Sequence, residues 1–242
     1  METNQNIEIS SELQDNTIIW RYLTLEKFFS LILNRELYFG KIRDLDDKFE
    51  GTRPPKFRFI NSVAFLGGHS PKYKKARKVY EKKQMEMIQL QKDAYNTLVN
   101  CWSMEIPESY ALWDIYTGTS SGIAIKSTIG QLKRAIEGKS HLIHITPVDY
   151  KSNEIKKFNL DTLVTWKTSF YKFEKEVRLY ISHSDLDFIL IPVNIEELIS
   201  EIYLSPFMPT FAKDTVRKMI KLDSKTTILP DRIKDSAIEL RL

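Results

Sequence analysis

Two glutamates and an arginine sit at alternate positions, Glu174, Glu176 and Arg178, in the segment running from Trp166 to Tyr180. On a β-strand, side chains repeat every second residue, so a strand through this segment would put Glu174, Glu176, Arg178 and Tyr180 on one face. Phe173, Lys175, Val177 and Leu179 would then face the other way, mostly toward a core. A carboxylate pair held rigidly in this manner suits general acid/base work or recognition of a hydroxyl-rich ligand. The competing expectation is an exposed strand face on which Arg178 pairs with a glutamate. A second acidic group, Asp44, Asp46, Asp47 and Glu50, occupies the charged loop from Lys41 to Gly51, where it either shapes a cleft or braces the turn.

The elements expected to position these residues follow from periodicity. Thr17 to Tyr22 reads as a strand, followed by a helix capped by Thr24 and running to about Asn34 with Leu25, Phe28, Phe29, Ile32 and Leu33 as its apolar stripe. Glu36 to Gly40 is a second strand. A long helical pattern from Pro71 to Leu98 carries a basic first half, Lys72 to Lys83, which is either a phosphate-tracking surface or a solvated face. Strands follow at Leu98 to Ser103, Gly122 to Lys126, His141 to Tyr150, Phe188 to Pro192 and Ile199 to Leu204, with short strands around Thr227 and Ile238. Helices are expected at Tyr110 to Tyr116, Leu160 to Ser169 and Asp214 to Ile220. Strands and helices do not alternate regularly, so the fold class is α+β, one domain over 17–242 with a helical insertion at about 70–98 and a flexible N-terminus over 1–16.

Composition narrows the function classes. The 242 residues, 42% hydrophobic, support one substantial core, and 36 Lys+Arg against 32 Asp+Glu leave a formal charge of +4 that permits anionic partners without requiring them. A single cysteine, Cys101, excludes an internal disulfide framework and fits a buried, unreactive thiol. Met1 to Asn16 has no secretory pattern and no apolar run has membrane-span length, so a cytoplasmic protein is expected. Neither the dinucleotide nor the P-loop glycine spacing occurs. His141 and His144 fall on opposite sides of their strand, which disfavours zinc, and no Gly-x-Ser-x-Gly elbow is present.

Four ordered blocks resemble a bacterial family known only as domain of unknown function 2971: Trp20 to Leu23; Leu37 to Gly40 with Asp47 to Gly51; Cys101 to Ser103 with Leu112 to Tyr116 and Gly122 to Ile125; and Trp166 to Arg178. A more distant resemblance is to ADP-ribosyltransferases. Their ordered Arg, Ser and Glu-x-Glu motifs are similar to Arg21, Ser103 and Glu174-x-Glu176, and the Tyr-ended helix and Gly-led strand of a related class resemble Ser109 to Tyr116 and Gly122 to Ile125. That class begins with a histidine, where this chain has Arg21 or Tyr22. The resemblance implies a split mixed or antiparallel sheet and consumption of NAD. It implies Glu176 as the catalytic carboxylate, Glu174 for the acceptor, Arg21 on a phosphate, Ser103 fixing the site and Tyr116 or Trp113 on nicotinamide, with Tyr22 in the cofactor site. It further implies a protein or nucleic-acid acceptor, a toxin or anti-phage role and a restraining antitoxin. Two alternatives stay open: a metal-dependent nuclease in which Asp47, Glu50, Glu174 and Glu176 gather a hard cation, and a non-catalytic module that binds nucleic acid or protein.

Overall fold

A computed structural model describes residues 6–45, 47, 50–52, 71–118, 121–136, 141–150, 159–182, 184–222 and 232–239. Ten strands form one mixed sheet: β1 (Ile7–Ile9), β2 (Ile18–Thr24), β3 (Glu36–Lys41), β4 (Leu98–Ser103), β5 (Gly122–Thr128), β6 (Ile143–Pro147), β7 (Glu176–Ile181), β8 (Phe188–Pro192), β9 (Glu201–Leu204) and β10 (Ile233–Asp235). The helices are α1 (Leu25–Asn34), α2 (Pro71–Tyr95), α3 (Tyr110–Thr117), α4 (Ile129–Ile136), α5 (Leu160–Thr165), α6 (Ile195–Leu198) and α7 (Thr210–Leu222). The class is therefore α+β, as expected from the irregular alternation.

Along the sheet the order is β1-β6-β7-β4-β2-β5-β9-β10, with β3 bridging β4 to the edge strand β8. Pairing is antiparallel except at the two ends, where β1 lies parallel to β6 and β10 parallel to β9. Strand β2 pairs with β5 over its whole length but with β4 at one position, Trp20↔Ser103. Farther along the same edge of β4, Leu98 and Val99 pair with β3 instead. The sheet thus opens between β2 and β4 beyond that position. Asn100, on the stretch of β4 that β2 leaves, ties it to β3, donating from Nδ2 to the Tyr38 carbonyl at 2.8 Å while its Oδ1 accepts from the Trp102 indole at 2.7 Å.

Apolar residues at i, i+3 and i+4 explain the helix packing. Phe28, Leu31 and Ile32 of α1, Leu132, Ala135 and Ile136 of α4, and Val216 and Ile220 of α7 bury against Ile19, Leu23, Ile123, Ile125, Val177 and Leu179 on one sheet face. Each such side chain contributes roughly 1.5–3 kcal/mol relative to exposure. The opposite face carries two smaller clusters. One joins α2 and α5 to the sheet through Ala94, Leu163, Val164, Val99 and Tyr180, and the other seats α3 through Leu112 and Trp113 on Trp20, Tyr22 and Ala124. Between them lies a polar row from β4 and β7, because Ser103 pairs with Glu176 and Cys101 with Arg178.

Several expectations are corrected. Ile7–Ile9 is a strand held by Ile143–Ile145, where a flexible N-terminus was expected. Helix α4 was not anticipated: its eight residues follow β5 directly, too short a window for a clear period. The helix at Leu160 stops at Thr165, and Trp166 bridges to Asp149 in extended backbone. Ile238 packs as a non-strand residue on the α3 cluster, while Asp46 and Thr227 lie outside the described residues.

Candidate functional site

The opening segment forms a buried ionic cluster. Residues Ser169–Glu174 make a 3-10 helix, Lys175 turns the chain in the left-handed region at φ 42°, and β7 begins at Glu176. The expected strand alternation therefore holds for Glu176, Arg178 and Tyr180, but Glu174 reaches the same site through the turn. A non-glycine residue in that conformation costs of order 1 kcal/mol, and the Met104 N–H holds the Lys175 carbonyl at 2.9 Å. Burial of Glu176 at 4% and Arg178 at 0% also overturns the exposed-face alternative.

Arg178 is clamped from two sides. Its guanidinium donates to both Glu50 carboxylate oxygens at 2.8 and 2.9 Å, to both Glu176 oxygens at 2.7 and 3.0 Å, and to the Val164 carbonyl at 2.6 Å. Planar fork geometry makes arginine suited to such bidentate pairing. Glu50 arrives from the acidic loop by a turn in which its N–H bonds the Asp47 carbonyl, and the next residue, Gly51, has φ 65° with Ile42 and Tyr95 atoms at 3.2 and 3.3 Å from where a Cβ would stand. Only glycine fits there without strain. Glu50 therefore braces Arg178 of β7 rather than the turn it stands in.

The Lys167 ammonium stands among the carboxylates, 2.7 Å from Glu174, 3.2 Å from Glu50 and 3.3 Å from Glu176, and 4.6 Å from the Tyr171 ring centroid. Sequence reasoning missed Lys167 because the helix was extended through it. Its ammonium occupies the centre that a hard cation would take in a nuclease built on Glu50, Glu174 and Glu176. Among the described residues no group of His, Cys, Asp or Glu is arranged to hold a metal ion.

The two glutamates are driven apart electrostatically. Burial opposes ionisation of Glu176, but Arg178 and Lys167 overcome it and hold the carboxyl down at about 2. For Glu174 burial prevails over the pull of Lys167, and its carboxyl is raised above the usual range, aided by the negative charges of Glu176 and Glu50. Lys167 is itself raised: burial would lower it, and the three carboxylates outweigh that. Glu176 is therefore held ionised more firmly than Glu174, which has the higher proton affinity of the two.

A cleft of about 380 Å³ opens onto this cluster at the gap between β2 and β4. Its lining brings together all six sequence-derived candidates, Arg21, Tyr22, Ser103, Tyr116, Glu174 and Glu176. The Arg21 guanidinium makes no hydrogen bond or ion pair among the described residues. It lies over Trp102, 5.9 Å from the ring centroid, and burial lowers it to about 10, so it stays charged at neutral pH. Tyr116, 43% exposed, stands at the rim, its phenol pushed up by burial and then by Glu174 and Glu176. Ser103 is a fixing residue: its hydroxyl donates to the Glu174 carbonyl at 2.7 Å and accepts from the Glu105 N–H at 3.1 Å. Tyr22 is mostly core, its hydroxyl accepting from the Ser109 N–H at 2.9 Å and its ring edge-on to Trp113. Trp113 is fully buried and gives its indole N–H to Glu108, so of the two aromatics expected on nicotinamide only Tyr116 lines the cleft. The Trp20 indole N–H, in the cleft wall and 5% exposed, finds no acceptor among the described residues. The Cys101 thiol, beside Glu176, is pushed well up by burial and by that charge, and stays protonated.

Among the described residues, no side chain from the basic half of α2 lines this cleft. Arg77 pairs with Glu81 at 2.8 Å and Lys82 with Glu86 at 3.9 Å, both exposed, and the side chains of Lys72, Lys74 and Lys75 lie outside the described residues.

Fold and site together define an α+β protein whose single mixed sheet opens on a cleft lined by two buried glutamates and by Arg21. Compared with protein-family models, with curated proteins and with solved structures, the chain matches none. No helix among the described residues is long and apolar enough to cross a membrane.

Proposed function

We propose that this protein is an NAD-consuming ADP-ribosyltransferase that modifies a protein or nucleic acid, a cytoplasmic toxin or anti-phage effector related to family 2971. The observation that carries the proposal is the convergence of Arg21, Glu176, Glu174 and Tyr116 on one cleft, from positions spread over β2, α3 and β7 with its preceding turn. Within the single mixed sheet, β2 meets β4 at one position only, which leaves room for the cleft.

Cleavage of the bond between ribose C1′ and nicotinamide passes through an oxocarbenium-like state, which a fixed carboxylate stabilises. Glu176 has the more firmly ionised carboxylate for that role, and Arg178 and Lys167 hold it in place. The bonding pair leaves with nicotinamide, which departs neutral, and C1′ forms its new bond to an acceptor oxygen or nitrogen. The acceptor's proton passes to ionised Glu174, whose raised affinity suits a general base. Arg21 offers its guanidinium to the pyrophosphate, and Tyr116 offers its ring to nicotinamide.

Purified protein incubated with labelled NAD and cell extract, with and without chelator, tests this. Label transfer by the wild type, lost in Glu176→Gln and insensitive to chelation, is the expected result. Nucleic-acid cleavage abolished by chelation, with no label transferred, would replace the transferase by the nuclease.

A further inference from the structure

A second cavity of about 370 Å³ adjoins the first between α1 and the β3–β8 pair, and the two share Arg21, Leu23, Lys27 and Tyr38 as a common wall. Its chemistry differs from that of the catalytic lobe. Leu23, Leu31 and Leu190 supply apolar surface, and Glu36 supplies a carboxylate that makes no hydrogen bond or ion pair among the described residues. The neighbouring cation, Arg35, is turned away and committed to Glu196. A carboxylate in an apolar lobe repels phosphate and accepts from N–H donors. Arg21 and Lys27, which make no ion pair among the described residues, stand instead at the junction.

Tyr38 is built as a flat wall at that junction. Its ring lies across Gly40, where a Cβ would come within 2.9 Å of a ring carbon, and it stacks on Phe188 with centroids 5.6 Å apart and planes 24° from parallel. Its carbonyl is pinned by Asn100 at 2.8 Å. An aromatic ring held flat, 53% exposed and with apolar neighbours, is a stacking surface for a heterocycle.

We propose that this second lobe is a nucleobase subsite, in which Tyr38 stacks on the base of the substrate's distal nucleoside and Glu36 selects a base carrying an exocyclic amino group. Resting on the NAD reading of the first lobe, this assigns the amino-bearing purine half to the α1–β3 lobe, with the pyrophosphate between Arg21 and Lys27. Glu36 accepts from the amino group, whereas a keto group at the same place would set two acceptors against each other.

Two measurements separate this subsite from the catalytic reading. Binding of AMP and IMP to the Glu176→Gln protein needs no turnover. AMP is expected to bind about tenfold more tightly, a difference of ~1.4 kcal/mol, and Glu36→Gln is expected to erase that preference, because an amide can donate as well as accept. Steady-state release of nicotinamide from NAD, nicotinamide hypoxanthine dinucleotide and nicotinamide mononucleotide gives the second. Tyr38→Ala is expected to raise KM for NAD several-fold more than KM for the mononucleotide. Equal affinity for AMP and IMP, or a Tyr38→Ala effect equal on the two substrates, would overturn the subsite. Failure to cleave NAD together with an AMP preference that depends on Glu36 would overturn the transferase and leave the subsite standing.

Discussion

Replacing Arg178 by Met should be the most damaging single change in the cluster at neutral pH. The guanidinium is fully buried and satisfies both oxygens of Glu50 and both of Glu176, while each carboxylate side chain is at most 4% exposed. Removing one partner of such a pair leaves an uncompensated buried charge and costs about 3–5 kcal/mol. Lys167, at 3.2 and 3.3 Å, stays to compensate in part, which favours the lower end. For a chain of this size ~1 kcal/mol corresponds to roughly 2–4 °C, so Tm should fall by about 6–20 °C. Two controls belong in the same thermal and urea melts. Glu50→Gln added to Arg178→Met should recover part of the loss. At pH 4 the deficit should shrink, because the orphaned carboxylates can take up protons, whereas in the parent Glu176 stays ionised down to about 2. A loss below ~1 kcal/mol at pH 7 that is unchanged at pH 4 would refute the clamp.

Further outcomes follow from the same geometry. The carboxyl of Glu176 is depressed to about 2 in the fold, so its stabilising contribution is present above the usual carboxylate range and is lost as pH falls from about 4.5 toward 2; acid melts of Glu176→Gln should lack that part of the parent's acid sensitivity. Glu174 is shifted the other way, so turnover that needs its ionised form should fall with pH below a midpoint higher than an ordinary glutamate's, and Glu174→Gln should remove that limb from the pH–rate profile. Gly122→Ala should destabilise by ~1–3 kcal/mol in urea melts, because its Cβ would fall 2.4 Å from Thr117 Cβ and Cγ2, which cannot swing aside as a flexible tip could. Arg21→Gln should raise KM for NAD about tenfold or more by removing a charged phosphate partner, with the fold unchanged by circular dichroism.

Much of the frame was legible because its strands and helices carry strong local signals. The strand and helix at Ile18–Asn34, and the strands at Leu98–Ser103 and Phe188–Pro192, emerge from periodicity at nearly their observed bounds. Ordered motif matching named six residues that line one cleft, although Tyr22 and Ser103 spend their hydroxyls on bracing it. What escaped was nonlocal. Lys167 carries no signal as one lysine among many, and its place follows from where α5 stops. Asn100, which ties β4 to β3 beside the opening, reads locally as a polar residue inside a strand. Glu174 was assigned to the right site through the wrong geometry, since the left-handed turn at Lys175 has no glycine to announce it.

The central claim is that Glu176 and Arg21 act on one NAD molecule in the cleft between β2 and β4. Nicotinamide release from NAD, followed by chromatography with and without cell extract for wild type, Glu176→Gln and Arg21→Gln, tests it most directly. Release by the wild type that is abolished in Glu176→Gln and shifted to higher KM in Arg21→Gln, in proteins with matching circular dichroism, is the predicted result. No release and no NAD binding by the wild type under any of these conditions, or equal release by Glu176→Gln, would contradict it.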